Sequence, residues 1–370
     1  MARYAHITGW GMATPKKVLS NFELEKIVET SNEWIVSRTG IQERRIASEI
    51  ETPASLAVQA ALRALEVANV HPSQVDLIIV ATSSPEHIFP ATACIVQDQI
   101  GAKRAGAFDL SAACTGFIYA LEVASSIIRS GAADTIVVIG TETLSRFVDW
   151  QDRNTCILFG DGAGAFVLQA SEEPGGILAG VLRSDGSGAE LLTLPSGAGR
   201  YPFGQTIVQN GQPYIRMNGR EVFRFATRVM AQSTLEVVQK AKLTLQEVGW
   251  IVPHQANQRI IETAAKNLNL PVDKFISNIH RYGNTSTASI PIATCEAIQE
   301  GKLKPGDYVV FVGFGAGLTW GATLVRWGGP FTTKRKRIFG RRHRWLSRLR
   351  SRFLRWWRRI EGFLWGKNAA

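Results

Sequence analysis

The second half of this chain repeats the first. QVDLIIVATSS is matched by EVGWIVPHQAN, RAGAFDLSAACTG by KFISNIHRYGNTS, and ADTIVVIGTE by GDYVVFVGFG, in the same order. Each set alternates short β-branched runs with helical patterns, as parallel α/β units do. Cys114 lies 17 residues before Gly131, and Asn284 lies 17 before Gly301. Both glycines stand where a helix C-terminus is expected. The repeat predicts two duplicated α/β halves, residues 1–172 and 173–330, with Cys114 and Asn284 at equivalent helix starts. A site between the halves follows.

DLSAACTGF surrounds Cys114 with some of the smallest side chains available. A core cysteine wants bulky neighbours, whereas a reactive one wants room and a close backbone. At a helix start, unpaired N–H groups and the dipole favour an anion. Thiolate pKa values there fall from ~8.5 to roughly 3.5–7.5. Local sequence leaves nucleophile and buried structural cysteine equally open for Cys114, and favours the structural role for Cys94, Cys156 and Cys295. Four cysteines without a CxxC pair argue against a disulfide framework or a zinc site and fit a reducing cytoplasm. MARYAHITGW has no apolar signal core, and no stretch is long and charge-free enough to span a bilayer.

Partners sharpen the reading of Cys114. His254 ends the strand WIVPHQAN, at the edge where α/β sites are built, and Asn284 lies in RYGNTST. Alone, each is an ordinary capping or turn residue. Cysteine, histidine and asparagine at matching strand ends of a duplicated fold form a constellation. Gly313, Gly315 and Gly317 in GFGAG do not make a dinucleotide loop, because LTWGATLVRW after them reads as a strand, not a helix. A tight turn lining the cysteine fits better, and no nicotinamide cofactor is expected.

With SNEWIVSRTGIQERR, DRNTCILFGDGAGAFVL and GFGAGLTWGATLVRW added, residues 1 to about 327 resemble the thiolase-fold condensing enzymes, specifically the 3-oxoacyl-[acyl-carrier-protein] synthase III family. The resemblance implies a layered α-β-α-β-α fold and a ping-pong acyltransferase with no cofactor or metal. Cys114 would take an acyl group from acyl-CoA, and malonyl-acyl carrier protein would then lose carbon dioxide and condense with it. His254 and Asn284 would stabilise the enolate oxygen, and the backbone N–H groups of Cys114 and Ala316 the acyl oxyanion. Trp34 and Arg153 would sandwich the adenine of CoA, with Thr30 and Arg38 along the same entrance. Phe89 would limit acyl length across a homodimer interface. Arg224, Arg259 and Lys266 would meet the acidic carrier protein. Arg220 departs from the small polar residue often found there, which bears on CoA contacts at that side. The alternatives are the same chemistry with another starter, or a non-catalytic adaptor.

The tail is a different object. After Pro330 come 14 of the 42 Lys and Arg but one of the 31 acids, leaving the body with 28 basic against 30 acidic residues. Leu346, Leu349, Phe353, Trp356, Trp357, Ile360 and Leu364 recur at helical spacing, with Arg341, Arg344, Arg348, Arg352, Arg355 and Arg359 opposite them. A basic amphipathic C-terminal helix over 331–370 is expected, lying at an anionic membrane surface. Nucleic acid fits the apolar stripe less well.

Overall fold

The structure is a computed structural model that describes residues 2–195 and 214–328. The tail expected to form a basic helix lies outside the described residues.

The strands of the first sheet are β1 (Tyr4–Ala13), β2 (Leu77–Ala81), β3 (Gly106–Leu110), β4 (Thr135–Thr143) and β5 (Asp161–Ser171), in the order β1-β5-β4-β2-β3. Leu77–Ala81 runs parallel to Ile136–Gly140 on one side and to Gly106–Leu110 on the other. The second sheet contains β6 (Gly176–Ser184), β7 (Val248–Pro253), β8 (Tyr308–Gly315) and β9 (Thr319–Arg326), in the order β7-β8-β9-β6. Apolar β-branched runs such as TIVVI read as continuous because both faces of these strands are covered.

Helix α1 (Asn32–Thr39) lies beside the entrance to the site. Helices α2 (Pro53–Ala68) and α3 (Thr92–Ile100) cover the outer face of the first sheet. Thr52 caps α2 through a capping box, and Pro53 occupies its first turn. Gly9 and Gly11 let β1 press against α2: a Cβ at either would meet a helix carbonyl at 2.2 or 2.4 Å. Helices α5 (Gly219–Lys240) and α6 (Gln258–Asn267) cover the outer face of the second sheet. Between the sheets lie α4 (Gly116–Ser130) and α7 (Ser289–Gln299). The layers are α-β-α-β-α.

The central layer is a buried apolar cluster. Phe117, Ile118, Leu121, Ala124 and Ile128 of α4 pack with Ile290, Ala293 and Ala297 of α7, with Phe166 and Phe311 of the sheets, and with Trp327 just after β9. Phe117 meets Phe166 edge-on at 5.2 Å. Each large apolar side chain buried here contributes roughly 1.5–3 kcal/mol.

The repeat is imperfect in two places. KFISNIH, the counterpart of strand β3, makes only one bridge, Ile251 to Phe275. Asn278 draws it away: its N–H donates to Gln255 Oε1 (3.0 Å) and its amide to Glu296 Oε2 (2.9 Å). The expected equivalence of Cys114 and Asn284 also shifts. Left-handed residues mark the two helix entries, Ala113 (φ 46°) and Ser286 (φ 47°), and a 3-10 turn follows each. Matching those entries sets Thr287, not Asn284, opposite Cys114. The 17-residue spacing hid this because α7 has 11 residues and α4 has 15.

Candidate active site

The parallel strands deliver their C-terminal ends to one place. Cys114 follows β3 and stands in the 3-10 turn Ala113–Thr115 that opens α4. His254 follows β7, its N–H donating to Val312 O (2.8 Å). Asn284 is placed by the other half: its N–H donates to Leu158 O (2.8 Å), and its carbonyl accepts from Gly160 N–H (3.0 Å). All three are buried and line one cavity of ≈ 80 Å³. It shares Leu158, Met217, Gly219, Phe223 and Asn257 with a vestibule of ≈ 610 Å³. On the other side, Cys114 and Phe159 also line a cavity of ≈ 290 Å³, with Ser83, Ser111, Leu144, Leu194, Ile215, Ser286 and Ala316.

The side chains are oriented by what they already hold. Ser286 N–H donates to Asn284 Oδ1 (2.8 Å), and a backbone N–H can only donate, so the oxygen assignment is secure. The Asn284 NH2 is left for the cavity. His254 Nδ1 is 2.7 Å from Ser289 Oγ, in the first turn of α7, and Phe314 packs edge-on against its ring at 5.3 Å. Burial pushes His254 down to about 3, so the imidazole is neutral at ordinary pH. Gln255 bridges the loop before Asn284 to the His254 strand, its amide donating to Pro253 O (2.7 Å) and Ile276 O (3.1 Å). Glu296 then gathers Asn278, Arg281 and Tyr282. Both partners of Cys114 are thereby fixed to one framework.

The Cys114 thiol differs from the expectation of a depressed pKa. Burial pushes it up to about 12, with the Glu142 carboxylate adding to the rise, while Ser286 and the residue's own N–H pull the other way. The helix start is present, but desolvation outweighs it. GFGAG is the tight turn expected, joining β8 to β9. A Cβ on Gly315 would lie 2.7 Å from Cys114 N. The backbone before Ala316 therefore runs against the nucleophile turn, and only glycine permits it.

Of the entrance residues, Trp34, Arg38, Arg220 and Arg259 line the vestibule. Thr30 and Arg153 are not among its lining residues. Arg153 lies over the Trp34 ring at 5.0 Å and Arg38 at 5.4 Å, so the expected adenine slot between Trp34 and Arg153 is closed by a cation–π contact. Thr30 Oγ1 is buried without a partner. Phe89 is 85% exposed and borders neither cavity beside Cys114. Arg224 and Lys266 are exposed on α5 and α6, Arg224 paired with Glu221 at 3.4 Å, and Arg259 stacks on Phe223 at 5.4 Å.

Sequence reasoning missed Glu142, Ser286, Ser289 and Asn257. Glu142 carried a signal, being an acid within an otherwise uncharged, fully buried strand. Among the described residues no three His, Cys, Asp or Glu side chains group as a metal site, and no helix is long and apolar enough to cross a membrane.

Two family models match the chain: 3-oxoacyl-[acyl-carrier-protein (ACP)] synthase III over residues 108–186, and the same synthase's C-terminal part over 238–327. The beta-ketoacyl-[acyl-carrier-protein] synthase III of Roseiflexus sp. (strain RS-1) is 50% identical over 327 residues, covering 88% of this chain and 99% of that one. The synthase III of Symbiobacterium thermophilum is 53% identical over 322 residues, covering 87% and 98%. The crystal structure of 3-oxoacyl-[acyl-carrier-protein] synthase III from Aquifex aeolicus VF5 superposes with a TM-score of 0.81 at 53% identity, over 87% of this chain and all of that one. With the cysteine, histidine and asparagine of the resemblance gathered on one cavity, the chain belongs to the 3-oxoacyl-[acyl-carrier-protein] synthase III family.

Proposed function

We propose that this protein is the condensing enzyme that initiates fatty acid synthesis, taking an acyl group from acyl-CoA and joining it to malonyl-acyl carrier protein. The observation that carries the reading is the convergence of Cys114, His254 and Asn284 on one cavity that opens to a vestibule. In the first half-reaction the Cys114 sulfur attacks the thioester carbonyl, and CoA departs with the thiol proton. Backbone N–H groups of Cys114 and Ala316 receive the developing oxyanion. The acyl chain takes the ≈ 290 Å³ cavity, which Phe89 from a second copy closes.

In the second half-reaction malonyl-acyl carrier protein loses carbon dioxide. Its enolate carbon attacks the acyl-cysteine carbonyl, the C–S bond breaks, and the Cys114 thiolate recovers a proton. Negative charge gathers on the malonyl thioester oxygen before attack. A neutral His254 donating from Nε2, with Nδ1 accepting from Ser289, and the free NH2 of Asn284 suit that oxygen. A carboxylate partner would repel it. No cofactor or metal takes part.

The test is turnover by the full chain with malonyl-acyl carrier protein and acetyl-, isobutyryl- or octanoyl-CoA. Equal amounts of CoA, carbon dioxide and 3-oxoacyl product are expected with at least one starter. No product with any of them would defeat the reading.

Entry of CoA requires Arg153 to leave the Trp34 ring, so that adenine replaces guanidinium on the aromatic face. Trp34→Ala is expected to raise KM for acyl-CoA about tenfold with kcat nearly unchanged, since an aromatic stack contributes roughly 0.5–1.5 kcal/mol. Steady-state kinetics at varied acyl-CoA checks this, and a loss confined to kcat would remove Trp34 from the CoA site. Arg220 adds a cation to the same vestibule for the phosphates of CoA. Arg224, Arg259 and Lys266 offer the carrier protein its positive surface, and Thr30 and Arg38 flank the CoA path.

The enzyme works in the cytoplasm as a homodimer, its basic tail holding it at anionic membrane. Each tail cation near such a surface contributes about 1 kcal/mol at most. Vesicles with anionic lipid are expected to sediment the full chain, and truncation after Pro330 to release it with condensation intact. Tight binding to nucleic acid with none to vesicles would reject the membrane role.

A further inference from the structure

Two polar side chains beside the nucleophile have no part in the scheme above. Glu142, in strand β4, is fully buried. Its carboxylate accepts from Ser83 N–H (3.1 Å), Ser84 Oγ (2.6 Å) and Thr287 Oγ1 (3.0 Å). Strand β4 comes from the first half of the chain and Thr287 from the second. The carboxylate therefore pins together the two halves beside Cys114. Burial raises the Glu142 pKa, against the pull of these donors.

Ser286 adjoins that pin. It is 1% exposed and has a left-handed backbone (φ 47°), which disfavours any residue bearing a side chain. Its hydroxyl is close enough to Cys114 and to Glu142 to bear on both, yet it is buried and meets no partner with hydrogen-bond geometry. With Cys114, Ser83 and Ala316 it lines the ≈ 290 Å³ cavity. A glycine at 286 would remove both the backbone strain and the unpartnered hydroxyl. A serine there bears two costs at one position, and both fall next to the reacting sulfur.

We propose that Ser286 belongs to the nucleophilic site: its hydroxyl turns onto the Cys114 sulfur as the thiol gives up its proton, and Glu142 holds the turn that carries it. The inference rests on Cys114 being the nucleophile. The hydroxyl donates to the thiolate and lowers its energy, whereas the Glu142 charge raises it. His254, the other titratable group on these cavities, is neutral and adds no charge.

The experiment is the rate of Cys114 alkylation by iodoacetamide, followed by intact mass and peptide mapping between about pH 6 and 10. It uses the full chain and requires no turnover. Ser286→Ala and Ser286→Gly are both expected to alkylate about tenfold more slowly below the midpoint, a rise of about one unit in the thiol pKa. Ser286→Gly relieves the left-handed backbone, so it should melt no lower than the parent while losing the same rate. Glu142→Gln is expected to move the profile the other way, toward lower pH. A parental profile in the Ser286 variants, or recovery of the rate in Ser286→Gly, would overturn the role of the hydroxyl. An upward shift in Glu142→Gln would overturn the opposition of signs. Parent protein in which peptide mapping finds Cys114 unlabelled across the whole pH range would overturn this inference together with the assignment of Cys114.

Discussion

Incubated with acetyl-CoA, the protein gains one acetyl mass, and Cys114→Ala gains none; that is the outcome expected from intact-mass analysis. The argument is one of exclusion as well as placement. Cys94 is exposed on α3, its sulfur 3.7 Å from Ala107 O, and borders neither cavity beside Cys114. Burial pushes Cys156 up to about 11 and raises Cys295 further, and neither lines those cavities. Of the four cysteines, only Cys114 borders both the cavity shared with His254 and Asn284 and the larger one that would take the acyl chain. Its own raised pKa does not disqualify it, because the thiol gives up its proton as the new C–S bond forms, and the charge then passes to an oxyanion received by the backbone N–H groups of Cys114 and Ala316. An adduct that survives in Cys114→Ala, or maps to another cysteine, would refute the assignment.

His254→Ala and Asn284→Ala should each slow malonyl decarboxylation by about 10²–10³, the usual cost of one oxyanion donor. Acyl transfer to Cys114 should keep most of its rate, since its oxyanion uses backbone N–H groups. The division follows from the side-chain arrangement. One polar atom of each residue is already committed, Asn284 Oδ1 to Ser286 and His254 Nδ1 to Ser289, and the other is left for the substrate. Release of labelled carbon dioxide, measured apart from acylation, reads the two halves separately. Equal losses in both would mean that His254 chiefly activates the thiol.

The repeat made the two-sheet plan legible, because β-branched runs must be covered on both faces and the matched segments supplied two sets of them. The three site residues were legible as a constellation: alone each is ordinary, but the repeat put a cysteine, a histidine and an asparagine near the ends of its matched segments. What remained hidden depends on distances that sequence does not carry. The match between KFISNIH and RAGAFDLS gave no warning that Asn278 would be drawn toward Gln255 and Glu296, leaving a single bridge where a strand was expected. The equal 17-residue spacing concealed a shorter second helix. The sign of the thiol shift could not be read either, since helix start and burial oppose each other at Cys114 and only the packed structure sets their balance. Ser286 looks ordinary in sequence, one of several serines and threonines in a row, while Glu142 stood out only as the single acid in an uncharged β-branched run.

The two central helices have a bearing on which motions the enzyme can use. Cys114 stands in the turn that opens α4, and Ser289, which holds His254, lies in the first turn of α7. Both helices are enclosed between the sheets, and α4 and α7 share one apolar cluster there. Their backbone amides open to solvent only when the halves come apart, so their opening free energy lies near that of global unfolding. The vestibule is lined differently, by the exposed Arg38 and Arg259 guanidinium groups resting on Trp34 and Phe223. Substrate admission can therefore fluctuate cheaply and fast, while the reacting geometry stays at the stiff end of the stability scale. Two substrates of different size thus enter through a compliant gate toward a centre that does not have to rearrange for either.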